Sequence, residues 1–280
     1  MQDLKPLEPG VMFWADRDHL AAMKALGVRC GQLGIPGDFE ITTAAADDWR
    51  LAMAQEQFTI VTVFAAYSGE SYADIPTVER TVGFVPLATR TSREQRTYEV
   101  SDFAASLGVK SIACHVGFVP EDRGSPDYAA VRDLVRRVCD HAAKNGQTFA
   151  LETGQEPAAA LLRFLQDLER ENAGINFDPA NMILYGTGDP IEALDVLAPH
   201  ILSVHCKDGD WPPKGIAGAL GKERALGKGS VGMERFIAKL RDIGFRGPLN
   251  VEREAENQEE RVIDMAMGVE LVKRLTAEGQ

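Results

Sequence analysis

Eight strand-like runs alternating with eight helical patterns predict a closed (β/α)8 barrel, the TIM-barrel class. Three observations carry that expectation. Short apolar, β-branched runs recur along all 280 residues at a spacing of about 35. A stretch with helical periodicity and capping residues follows each run. Glycine, Asn-Gly or proline then punctuates the chain before the next run. Alternation on this scale gives right-handed βα units and a parallel sheet. Eight such units favour closure over an open, doubly wound sheet. No linker, low-complexity run or close repeat interrupts the pattern, so residues 1–280 are expected to form a single domain.

Residues 11–15 read as the first strand, and residues 16–26 as a helix closed by Gly27. The second strand spans 28–35, ended by Gly34, Pro36 and Gly37. Thr42 or Thr43 can cap a helix running through Asp48 to Gln57. Residues 58–66 are strongly β-branched and aromatic and form strand three. A long segment, 67–90, breaks the rhythm. Thr91-Ser-Arg-Glu94 then has capping-box spacing for helix three, which Gly108 stops.

Strand four is 109–116. Ser125-Pro126 opens a helix that reaches Lys144 before the Asn145-Gly146 break. Strand five is 148–152, and its helix spans about 157–171. Strand six is 173–178, and Asp189-Pro190 starts a helix that ends before Pro199. Strand seven is 201–207. A glycine-rich loop, 209–229, precedes a helix over 233–243. Gly247-Pro248 introduces strand eight, and a helix over 258–275 ends the pattern.

The net charge of −12 excludes a nucleic-acid backbone as partner, because phosphate binding needs a basic surface. No run approaches the roughly 20 apolar residues of a membrane span. The first ten residues lack the charged-then-apolar pattern of a signal peptide, so a cytoplasmic location is expected. Cys30, Cys114, Cys139 and Cys206 show no CxxC spacing and read as buried free thiols. The oligomeric state is open; a homo-oligomer is compatible with the sequence.

In such barrels the chemistry sits at the C-terminal ends of the strands. Four successive strand ends here carry an ionisable group: Glu152, Asp178, His205 and Glu252. Side-chain alternation puts Ala150 on the same face as Glu152, Asn176 with Asp178, Ser203 and Lys207 with His205, and Asn250 with Glu252. Asn176, Ser203 and Asn250 would thus lie where Val, Ile or Leu is usual, as hydrogen-bond supports for the charged groups. Three carboxylates converging with one imidazole repel unless a cation joins them. That oxygen-rich set with one nitrogen suits Mn²⁺ or Mg²⁺, with Co²⁺ and Zn²⁺ also admissible. Taken singly, each group has a duller reading as a helix cap or salt bridge.

Of five histidines, His19, His141 and His200 fall on helices or a helix-to-strand turn. His115 ends strand four beside Gly117 and is a candidate to bond a substrate hydroxyl, or a satisfied barrel histidine.

The four groups stand in ALETGQE, GINFDPAN, SVHCKDG and LNVERE. In those settings the chain resembles the xylose-isomerase-like sugar isomerase/epimerase superfamily, from Val11 to the last helix. The ketose 3-epimerases are the nearest characterised branch. The resemblance implies that Glu152, Asp178, His205 and Glu252 hold one divalent metal, Mn²⁺ first. It implies also that Glu152 and Glu252 are the catalytic pair exchanging a proton beside a carbonyl. The chemistry agrees, since removing such a proton needs a carboxylate base, and the enediolate needs a cation on its oxygens.

An abasic-site endonuclease branch shares the barrel but needs further histidines, one of them where Asn181 stands. The acidic charge also disfavours DNA, so that reading is rejected. Against the epimerases, Asn181 replaces a histidine that helps hold substrate, and Trp211 and Pro212 stand near a missing arginine. The expected function is a divalent-metal-dependent isomerase or epimerase of a sugar or sugar derivative, with a small-molecule sugar or polyol as its partner. The alternatives are a keto-sugar or keto-inositol dehydratase/lyase on the same metal site, and a catalytically idle sugar-binding barrel.

Further substrate-binding candidates are Lys207, otherwise salt-bridged to Asp208 or Glu254, and Glu156, otherwise the start of a helix. Trp14, as a wall of the sugar pocket or a core residue, and Asn181 complete the set. Segments 67–90 and 209–229 are long enough to serve as lids. Gly227-Lys-Gly229 offers a weak anion site.

Overall fold

In the computed structural model, which describes residues 4–255 and 257–277, eight parallel strands close into a barrel. They are β1 (Pro9–Trp14), β2 (Cys30–Ile35), β3 (Thr59–Ala65), β4 (Ser111–Cys114), β5 (Thr148–Glu152), β6 (Ala173–Phe177), β7 (Ile201–Cys206) and β10 (Leu249–Val251). Each pairs with its neighbour in sequence, and β1 closes the ring onto β10. Two short antiparallel strands, β8 (Asp208–Asp210) and β9 (Lys222–Arg224), form a separate hairpin.

The helices form the outer layer, and their starts follow the local chemistry. Asp16 accepts from the Asp18 N–H to cap α1 (Arg17–Ala25), and Thr42 accepts from Ala45 to cap α2 (Thr43–Glu56). Ser125 and Asp189 cap α5 (Pro126–Lys144) and α8 (Pro190–Leu197), each with proline in the first turn. The remaining long helices are α4 (Arg90–Ser106), α6 (Ala158–Leu168), α9 (Met233–Asp242) and α10 (Gln258–Ala277). Their apolar faces bury Phe103, Leu134, Phe164, Leu194, Phe236 and Val272 against the outside of the barrel.

Some sequence expectations need correction. The Thr91–Glu94 capping box lies inside α4, whose N-cap is Thr89 without a side-chain bond. Glu94 instead pairs with Arg137 on α5, a stronger charge-assisted contact. Segment 67–90 contains a helix, α3 (Ile75–Thr81), capped by Asp74. Loop 209–229 contains the β8–β9 hairpin. A further short helix, α7 (Pro179–Tyr185), follows β6 directly. These three elements are too short for periodicity to reveal them.

Inside the barrel a small apolar layer of Met12, Phe64, Ala113 and Ala150, with Trp14 against it, stands apart from the main core. Gly34 is required there, since a Cβ would lie 2.5 Å from the Trp14 ring. The four cysteines are free and buried, as the sequence suggested. Among the described residues no helix is long and apolar enough to cross a membrane.

Candidate metal centre and substrate cavity

The ends of β5, β6, β7 and β10 bring Glu152, Asp178, His205 and Glu252 together, each with one ligand atom within 4.8 Å of the others. All four are buried. His205 Nδ1 lies 3.1 Å from Glu152 Oε1, 3.0 Å from Glu252 Oε2 and 3.7 Å from Asp178 Oδ2. The imidazole therefore faces all three carboxylates with one nitrogen.

Local structure explains why each carboxylate offers the oxygen it does. Asp178 is the N-cap of α7, and its Oδ1 accepts from the Asn181 N–H at 3.0 Å. That leaves Oδ2 for the cluster. Thr153 ties the two strand ends together, since its Oγ1 accepts from Asp178 N and donates to Asp178 O. Gly154 makes the turn after Glu152, where φ is 145° and a Cβ would lie 2.5 Å from that of Asn181. The close approach lets Asn181 Nδ2 donate to Glu152 Oε1 at 3.1 Å.

Among the described residues Glu152 Oε2, Asp178 Oδ2 and Glu252 Oε2 are buried without a well-aligned hydrogen-bond donor, although His205 Nδ1 and Lys207 Nζ form ion pairs with Glu252 Oε2. Leaving such an atom unpaired costs about 1–3 kcal/mol, more when it is charged. The three carboxylates and the imidazole nitrogen together form a donor set that fits a divalent cation. Without a bound cation, His205 and Lys207 supply the positive charge beside these carboxylates. Burial pushes the Glu152 carboxyl up. Burial acts likewise on Glu252, but His205 and Lys207 outweigh it and hold that carboxyl well below the usual range. Burial would lower His205, yet Glu252 and Glu152 raise it well above an ordinary histidine.

Lys207 is buried, its Nζ 3.1 Å from Glu254, 3.3 Å from Glu252 and 3.9 Å from Asp178. The salt bridge to Glu254 is thus present, and it also places the ammonium beside the cluster. Burial works against its charge, but Glu252, Glu254 and Asp178 keep it protonated.

A cavity of ≈ 220 Å³ opens onto the cluster, below the roughly 300–1,000 Å³ usual for ligand sites. Its walls include Trp14, His115, Asn181, Lys207, Tyr72 and Tyr185. His115 Nε2 is 3.7 Å from Glu152 Oε2, and its Nδ1 is 3.4 Å from Gln155 Nε2. Segments 67–90 and 209–229 meet above the cavity, where Ile75 N donates to Gly218 O at 3.0 Å. Leu220 and Tyr185 pack there around Val78 and Val82.

Glu156 is not brought to this cavity. Its Oε1 accepts from Val119 N at 2.7 Å, tying the loop after β5 to the loop after β4. Burial pushes its carboxyl up to about 8. The Gly227–Gly229 amides are also already used. Asp208 accepts from Gly227, Gly229, Val231 and Gly209, so an internal carboxylate occupies the expected anion site.

Of the polar supports, Asn176 reaches His205 and accepts a bond from Ser203, but Asn250 bonds only the backbone. Sequence reasoning missed Gln32, whose Oε1 lies 3.0 Å from His205 Nε2. The available signal was a polar Gln32 in the middle of an otherwise small or apolar stretch, Cys30–Ile35. The rule that picked Asn176 and Ser203 does not reach it, because the residue two places further along the strand is Gly34, not an ionisable group.

Comparison with known proteins places this geometry in context. A family model described as a xylose isomerase-like TIM barrel matches residues 20–271. A xylose isomerase domain protein from Planctomyces limnophilus is 44% identical, with 98% of each chain covered and a TM-score of 0.94. The fold is shared at 15% identity with a D-allulose 3-epimerase from Methylomonas sp., covering 98% of this chain and 100% of that one at a TM-score of 0.71. It is shared at 13% identity with a probable 3-DHS dehydratase, AsbF, from Bacillus anthracis, covering 95% and 98% at 0.66. The chain spans about half the length of the curated relatives it matches, among them the uncharacterised YihM of Escherichia coli, 28% identical over 52% of this chain and 45% of that protein. By the extent of the family match and the near-complete overlay on the Planctomyces protein, the chain belongs to the xylose isomerase-like TIM barrel family.

Proposed function

We propose that the protein is a divalent-metal-dependent isomerase or epimerase of a sugar or sugar derivative, acting by proton abstraction beside a carbonyl. The observation that carries this reading is the convergence of three buried carboxylates and His205 at the floor of a small cavity. A bound divalent cation, Mn²⁺ first, would supply positive charge for the substrate oxygens as the proton leaves.

The chain's own groups do the rest. Glu152 and Glu252 are the bases: Glu152 Oε2 has no hydrogen-bond partner among the described residues, and Glu252 Oε2 stands between His205 Nδ1 and Lys207 Nζ. Asn181 holds the other oxygen of Glu152, which fixes the carboxylate plane. Asp178 and His205 complete the ligand set. Lys207 sits where it can polarise a substrate oxygen beside Glu252. Trp14 walls the cavity. The two roof segments exclude water, which strengthens each of these electrostatic contacts.

A second reading, dehydration of a keto-sugar or keto-inositol, shares the first step and is favoured by His115. With Nδ1 accepting from Gln155, the remaining Nε2–H points toward Glu152 and the cavity, suitably placed to protonate a departing hydroxyl. The test is a panel of ketoses, keto-inositols and polyols incubated with Mn²⁺ in deuterated water. Deuterium at the carbon beside the carbonyl in recovered or epimerised substrate supports the isomerase/epimerase reading. Loss of water supports the second. No exchange on any substrate by protein loaded with metal sinks both.

A further inference from the structure

We infer that Gln32 is the positioning residue that presents His205 Nδ1 to the carboxylate cluster and so sets the affinity of the site for a divalent cation. The inference rests on the metal-site reading above. His205 is fully buried, with Nδ1 toward Glu152 and Glu252 and Nε2 turned back into the barrel. There Nε2 meets two amides, Gln32 Oε1 at 3.0 Å and Asn176 Nδ2 at 3.2 Å.

The two amides favour opposite tautomers. A neutral imidazole binds a cation through one nitrogen's lone pair and keeps its proton on the other. Gln32 Oε1 accepts a proton from Nε2, which frees the Nδ1 lone pair for the cluster. Asn176 Nδ2 is a donor, so it favours a lone pair on Nε2 and a proton on Nδ1. Gln32 is the nearer partner and the only one of the two that supports ligation through Nδ1.

Its orientation is itself fixed. Gln32 Nε2 donates to Asn176 Oδ1 at 2.9 Å, and that oxygen also accepts from the Ser203 hydroxyl. Turning the Gln32 amide over would lose this bond and set an NH₂ group against Nε2–H. Gln32 is fully buried and lies 173 residues before His205 in the chain, so packing holds it in place.

The test uses the full-length protein with Gln32→Leu and Gln32→Glu. Calorimetry with Mn²⁺ should give an affinity about 10–100-fold weaker for Gln32→Leu. Gln32→Glu keeps an acceptor and should stay within a few-fold of the parent. Nitrogen-15 histidine spectra of the zinc-loaded parent should show the His205 proton on Nε2, assigned by its disappearance in His205→Asn. Affinity of Gln32→Leu within twofold of the parent overturns the inference. So does a parent spectrum with the proton on Nδ1, a readout that decides the matter even if Gln32→Leu fails to fold. A parent that binds no divalent cation overturns the metal-site reading itself, and this inference with it.

Discussion

Asn181 Nδ2 donates to Glu152 Oε1 across 3.1 Å, the same distance at which His205 Nδ1 approaches that oxygen. One carboxylate oxygen is therefore held from two sides, while Oε2 is left unpartnered and 3.7 Å from His115 Nε2. In this chain Asn181 holds the Glu152 carboxylate, the proposed base, as well as lining the cavity. The division of labour between the two oxygens suits a group that must both ligate and move a proton.

Glu152→Gln keeps the shape and the acceptor for Asn181 but removes the charge and the base. Turnover should fall by at least about 1,000-fold, beyond the 10²–10⁴ range's lower half for general base loss. The melting temperature without metal should hold or rise, because burial already disfavours the Glu152 charge and glutamine keeps the acceptor for Asn181. Activity near the parental level would remove Glu152 from the chemistry.

Lys207→Met separates electrostatics from catalysis, because its two effects should have opposite signs. Removing an ammonium 3.3 Å from Glu252 leaves the cluster more negative, so Mn²⁺ should bind several-fold tighter. Turnover should nevertheless drop by roughly 100-fold, since the polarising cation is lost. Calorimetry and steady-state kinetics on the same preparation test both signs. Weaker metal binding would make Lys207 a structural support instead.

Chelation should abolish exchange activity, and added Mn²⁺ should restore it. A ligand at 100 times its Kd stabilises the folded state by about 2.7 kcal/mol, so the melting temperature should rise by roughly 5 °C or more. Differential scanning fluorimetry across a metal series gives the order of preference. An unchanged melting temperature with Mn²⁺, Mg²⁺, Co²⁺ and Zn²⁺ alike would count against the site.

Glu156 predicts a pH dependence of stability whose sign is set by burial. The folded carboxyl holds its proton up to about 8, whereas the unfolded one releases it near 4.5. The folded state thus binds more protons in that window, and stability contributed by this group is lost as pH rises from about 4.5 through about 8. The loss amounts to a few kcal/mol. Glu156→Gln retains an acceptor for Val119 N–H, so its stability relative to the parent should climb over the same window and level off above it. Urea midpoints for both proteins at pH 5, 7 and 9 measure this. A constant difference across the three would show that Glu156 does not titrate as described.

The sequence by itself determined the barrel and the four residues at its centre. Strands, caps and breaks are local patterns, and the Glu–Asp–His–Glu order needs only the rule that strand ends share one face. The observed β5 and the caps at Asp16, Thr42, Ser125 and Asp189 follow those local rules closely. Tertiary structure decided which partner each polar group received. Gln32 reaches His205 from the far side of the ring, Glu156 turns to the Val119 amide, and Asp208 fills the nest at Gly227 and Gly229. The meeting of Ile75 with Gly218 over the cavity belongs to the same class. Each of these contacts joins residues remote in sequence, and its energy comes from burial and pairing that exist only after the barrel has closed. Periodicity reports which face a side chain occupies, but not the group waiting on that face.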